Sequence, residues 1–184
     1  AEQHWLKSSK SIARDVQKGG IRMSEEIFGA VQKLPVNGTK KQVVLQCAPL
    51  LTGIKLSNLL NVRADQKEEV FRIFEGSPVC CRVLYEFQGR LSILLYRPGM
   101  LAAYLEREDV KKMMTSFGYE NPDLEETLNR IADAYQDHMN GKRGFPHEIG
   151  LVLGYPPVDV EGFIEKEGRD FLYSGYWKVY GNLE

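Results

Sequence analysis

Val79-Cys80-Cys81-Arg82-Val83-Leu84-Tyr85-Glu86-Phe87-Gln88-Gly89-Arg90-Leu91-Ser92-Ile93-Leu94-Leu95-Tyr96 is the stretch on which the fold turns. Two β-rich runs, 79–87 and 91–96, flank a short loop through Gln88-Gly89-Arg90, which is the pattern of a β-hairpin. The second run is hydrophobic almost without interruption, as expected of a strand covered on both faces.

Downstream of the hairpin the period becomes helical. Pro98 suits a first helical position, and Met100, Leu101, Tyr104 and Leu105 continue that helix, with a second helical stretch beyond a kink, to Phe117 and Gly118. Asn121-Pro122-Asp123 opens another helix, in which Leu124, Leu128, Ile131, Tyr135 and Met139 share one face before Asn140-Gly141 closes it. Two short helical pieces, 147–154 and 157–168, lead to an aromatic, β-like ending over 173–180.

Upstream, a charged helix over 64–75 turns Val70, Phe71 and Phe74 inward, and residues 50–60 are apolar at helical spacing. Gln42-Val43-Val44-Leu45-Gln46 reads as a short buried strand running into Cys47-Ala48-Pro49. A helix over 24–34, capped by Ser24 and stopped by Pro35, precedes it. Residues 1–22 read as an N-terminal helix or mobile arm, and 23–184 as one globular α+β domain. Its expected architecture is a small, mainly antiparallel sheet, with strands near 42–47, 79–87, 91–96 and 173–180, packed with several helices. Helices and strands do not alternate as they would in a doubly wound sheet.

The composition excludes several classes of function. Twenty-four basic against 25 acidic residues leave a formal charge of −1, without the basic field of a nucleic-acid binder. No run reaches the roughly 18 apolar residues that a membrane span requires. Three cysteines, an odd number, fit a reducing and therefore cytoplasmic compartment better than a disulfide framework.

Three blocks hold the chemistry-bearing side chains. The first is Cys47-Ala48-Pro49-Leu50-Leu51-Thr52-Gly53-Ile54-Lys55-Leu56-Ser57-Asn58-Leu59-Leu60. The second is Phe145-Pro146-His147-Glu148-Ile149-Gly150-Leu151-Val152-Leu153-Gly154-Tyr155-Pro156-Pro157-Val158-Asp159-Val160-Glu161-Gly162-Phe163-Ile164, and the third is Gly175-Tyr176-Trp177-Lys178-Val179-Tyr180-Gly181. Together they resemble the bacterial domain-of-unknown-function family 3793, with similarity from about Met23 to Gly181. The family pattern has His before the first-block Cys, where this chain has Gln46. The resemblance brings no activity with it.

Two functional readings follow from the residues. In the first, the three blocks form one pocket or partner face, for a small molecule or a protein, using Cys47, Lys55, Asn58, His147, Tyr155, Asp159 and Trp177. In the second, Cys47 is a nucleophile whose thiol pKa is lowered at a helix N-terminus, His147 is its base, and Glu148 or Asp159 orients the imidazole. Both require Cys47 and His147 to lie in one contact sphere. The binding reading is the one adopted, because a buried Cys and a helix-terminal His are the commoner states of such residues. No metal is expected, since Leu151 stands where a zinc-binding helix would carry its second His. No cofactor is expected either, because no Gly-rich phosphate loop is present.

Overall fold

The computed structural model describes residues 38–175 and 177–181, so the expected arm at 1–22 and the expected helix at 24–34 lie outside the described residues. The described elements, in order, are α1 (Thr39–Leu51), β1 (Ser57–Arg63), α2 (Lys67–Phe74), β2 (Cys80–Phe87), β3 (Arg90–Tyr96), α3 (Pro98–Leu105), α4 (Glu108–Ser116), α5 (Leu124–Met139), α6 (Ile149–Val152), α7 (Pro157–Glu165), β4 (Tyr173–Ser174) and β5 (Lys178–Val179). This is an α+β fold with an antiparallel three-stranded sheet in the order β1-β3-β2.

The hairpin forms as the sequence predicts. Gln88 and Gly89, with φ of 47° and 73°, make the two-residue turn whose left-handed residues match the twist of the strands they join. β3 is the central strand, and all of Leu91–Tyr96 is buried. Its side chains alternate between two clusters: Leu91, Ile93 and Leu95 join α1 and α2 on one face, while Leu94 and Tyr96 join α3 to α7 on the other. A bulge at Leu84 shifts the β2–β3 register, so that Leu84 and its neighbour Tyr85 both enter the second cluster, against α5.

Two expected elements are exchanged. The segment expected as a strand near 42–47 lies inside helix α1, and the strand of this region falls later, at Ser57–Arg63, within the stretch expected to be helical. Val43-Val44-Leu45 has strand propensity, but Thr39, Val43, Cys47 and Leu50, buried together with Pro49, form a helical stripe that only a longer window reveals. Arg97 completes the end of α1, its guanidinium donating to the Leu50 and Leu51 carbonyls at 3.1 Å each. The ending expected as one strand near 173–180 is a hairpin of two two-residue strands, β4 and β5, separate from the main sheet. Gly175 N donates to the Trp177 carbonyl at 3.0 Å and turns the chain between them.

The remaining helices match expectation in type. Asp123 caps α5 by accepting from Glu126 N at 2.7 Å, and Pro98 opens α3. Val70 and Phe74 of α2 are buried, while Phe71, expected to turn inward, is exposed. Among the described residues, no helix is long and apolar enough to cross a membrane.

Candidate functional site

β1 distributes the first block between the two faces of the sheet. Ser57 and Asn58 are neighbours and therefore point in opposite directions. The buried Ser57 hydroxyl donates to the Val152 carbonyl at 2.6 Å, tying β1 to α6 of the second block. Asn58 turns toward α1, where its amide donates to the Gln46 carbonyl and to Cys47 Sγ, each at 3.3 Å.

Cys47 accordingly belongs to the cluster beneath α1 and α2. It lies near the C-terminal end of α1, not at a helix start, so no positive helix end acts on it. Burial pushes its thiol up to about 12, with the Asn58 amide only partly opposing the shift. That is the reverse of an activated thiol, which must ionise near neutral pH.

His147 lies among different neighbours. Its ring meets Phe145 at 5.5 Å and Phe163 at 5.9 Å, and Phe145 packs into the cluster on the far face of the sheet from Cys47. Cys47 and His147 are thus separated by the sheet, so the shared contact sphere that both readings expected does not form, the expected pocket loses both residues, and among the described residues no imidazole lies beside the cysteine. Burial, and secondarily His138, lowers the pKa of His147. Glu148 is buried, with the Arg143 guanidinium 3.5 Å from its carboxylate.

The remaining candidates do come together. Lys55 follows the turn after α1, its N–H donating to the Pro49 carbonyl at 2.9 Å, and its ammonium lies 5.1 Å from the centre of the Tyr155 ring. Tyr155 packs on Trp177, ring centres 5.3 Å apart and planes 25° from parallel. The Trp177 indole N–H donates to Asp159 Oδ2 at 2.7 Å, while Asp159 Oδ1 accepts from Tyr180 N at 2.7 Å and Gly181 N at 3.1 Å. All three blocks meet along this line.

The charge state of Lys55 is unusual. Among the described residues its ammonium meets no carboxylate and no hydrogen-bond acceptor. Burial lowers its pKa to about 8, with Cys47 as a weaker opposing influence. Lysines rarely lose water without a partner.

Glycines and one tyrosine hold the arrangement closed. A Cβ on Gly154 would come within 2.9 Å of the Leu56 side chain, and one on Gly162 within 2.5 Å of Tyr180. Both positions therefore exclude larger residues. Tyr104, absent from the sequence-derived candidates, fixes the loop carrying Tyr155 by donating to its carbonyl at 2.6 Å. Its amphipathic side chain in an otherwise apolar helix was the available signal.

Elsewhere, an open groove of about 420 Å³ runs between α2 and β2, lined in part by Phe71, Phe74, Val79 and Cys81. No group of three or more His, Cys, Asp or Glu gathers as a metal site among the described residues.

A family model described as protein of unknown function, DUF3793, matches residues 43–184. No curated protein matches the chain. No solved structure matches it either.

Proposed function

The chain belongs to this family, DUF3793, whose match takes in the whole Lys55–Tyr155–Trp177 line, and we propose that it is a small-ligand-binding domain whose site is centred on the Lys55 ammonium. Tyr155, itself buried, and the Trp177 stacked on it form an aromatic wall behind the lysine, and the ligand presents an anionic group, a carboxylate or a phosphate, to the ammonium. The observation that carries the reading is an ammonium held over an aromatic ring without a carboxylate partner among the described residues. An anion there supplies the missing counter-charge, and a charge-assisted hydrogen bond of this kind contributes about 1.5–3 kcal/mol.

Asp159 serves as a positioning residue in this reading. Its two oxygens are occupied by Trp177, Tyr180 and Gly181, so it holds the wall in place and does not face the ligand. Asn58 acts at one remove, through Cys47 and the end of α1. The three free thiols support a reducing, cytoplasmic location. The near-neutral charge gives no reason to invoke nucleic acid.

Trp177 provides the experiment, because the chain has only two tryptophans and Trp5→Phe leaves it as sole reporter. Titration with inorganic phosphate and with acetate should change its fluorescence saturably. Lys55→Met should weaken the response about tenfold to a hundredfold. A response that survives Lys55→Met unchanged would remove the lysine from the site.

A further inference from the structure

Lys55 differs from other lysines of the chain in what its side chain touches. Lys111 pairs with Glu106 at 2.8 Å and Lys142 with Asp137 at 3.4 Å, while Lys166 and Lys178 donate to the Asp170 and Gly168 carbonyls. Each of those contacts is made by the charged ammonium. Lys55 has the face of Tyr155 and the neighbourhood of the Cys47 thiol, so losing its proton sacrifices one cation–π contact and relieves a desolvated charge. Burial holds both Tyr155 and Cys47 in their neutral forms at neutral pH, so neither supplies an anion that would retain the proton.

We infer that Lys55 is an acylation site, its ε-amine taking the acyl group directly from an acyl phosphate and thereby switching off the anion site. The inference rests on the anion-site reading above, since the phosphate end of the donor is the group that the ammonium form attracts. In the transfer, the unprotonated nitrogen attacks the carbonyl carbon and a C–N bond forms. The bond from that carbon to the bridging oxygen breaks while the O–P bond stays intact, inorganic phosphate leaves with the electron pair, and the amine proton passes to water. No oxidant or further reactant is required. The product is a neutral amide over the Tyr155 ring, with no charge left to desolvate and no ammonium to receive a ligand.

The rate advantage follows from opposing effects. With a pKa of about 8, the free-amine fraction near neutral pH exceeds that of an ordinary lysine by about two orders of magnitude. Lower basicity reduces nucleophilicity by about one order, if the Brønsted slope resembles that of thiolates. About a tenfold net preference remains.

The test is incubation of the full chain with acetyl phosphate, followed by peptide mass spectrometry of each lysine over time and pH. Lys55 should acylate about tenfold faster than the exposed Lys40 and Lys112 at about pH 7.5. Its rate should level off above about pH 8.5. Tyr155→Leu should abolish the preference by rehydrating the amine; should that variant fail to fold, the wild-type pH profile decides alone. A Lys55 rate equal to or below that of Lys112, or one that is still climbing above about pH 9.5, overturns the proposal. Inorganic phosphate should also protect Lys55. Fast acylation without protection would sustain the acylation site and sink the anion-site reading, whereas a Lys55-dependent Trp177 response to phosphate without fast acylation would do the reverse.

Discussion

At Asp159 one carboxylate holds three donors from a segment about twenty residues away in sequence, and the aromatic wall depends on that single side chain. Asp159→Ala should cost about 2–4 kcal/mol in denaturant unfolding, because three part-buried N–H groups lose their shared acceptor, and should shift Trp177 emission toward that of a solvated indole. An unchanged Trp177 spectrum would show that the wall stands without the carboxylate. Cys47 is the opposite case, a side chain that matters for its packing. Iodoacetamide should reach the exposed Cys80 before Cys47, which it should modify only as fast as the chain opens at any pH below about 9. Prompt labelling of Cys47 near neutral pH would restore the nucleophile reading. The residues of the candidate site were legible from the blocks themselves, since Lys55, Tyr155, Asp159 and Trp177 form one connected line. The partition of Cys47 and His147 was not legible, because it depends on which face of β1 each neighbour occupies, and β1 itself lay inside a stretch read as helical.

Elements were readable where local chemistry and tertiary burial agree, as in the β2–β3 hairpin, the α5 cap and Pro98 at the start of α3. They were misread over 42–60, where a β-branched run sits on a helix and the strand contains Asn58 and Asn61, residues of poor strand propensity. Those two asparagines are retained by contacts that a sequence window does not see. Asn58 binds the end of α1, and Asn61 Oδ1 accepts from the Ser92 hydroxyl of β3 at 2.7 Å. The hairpin turn offers a test at this scale, because Gln88 has a φ of 47°, a conformation that asparagine tolerates better than glutamine. Gln88→Asn should therefore raise stability by about 0.5–1 kcal/mol, read as a higher denaturation midpoint at unchanged slope. A lower midpoint would mean that the Gln88 side chain makes a contribution of its own.

Across the whole molecule, two clusters share β3, and each contains a titratable group moved from its ordinary pKa, so stability should depend on pH in separable windows. His147 has a lowered pKa in the folded protein, so the unfolded chain binds the proton more readily, and stability should fall as pH drops through the ordinary histidine range. Lys55 is lowered from 10.5 to about 8, which by the same sign makes the folded state gain as pH rises above about 8. The thiols act in the other direction: Cys47 is raised from 9.0 to about 12 and Cys81 from 9.0 to about 11, so the unfolded chain releases those protons first and stability declines above about pH 9. Between about 9 and 10.5 the rise from Lys55 overlaps the falls from Cys47 and Cys81, and these three sum to a net loss. Denaturant titrations across pH should therefore show a stability maximum near pH 9, about two units above neutrality. Lys55→Met should flatten the rise between about 8 and 9 and leave the acid limb intact, because the lysine and the histidine lie in different surroundings. If the rise is unchanged in that variant, Lys55 does not carry a lowered pKa, and the ammonium on which the proposed ligand site rests, without a carboxylate among the described residues, has a partner after all.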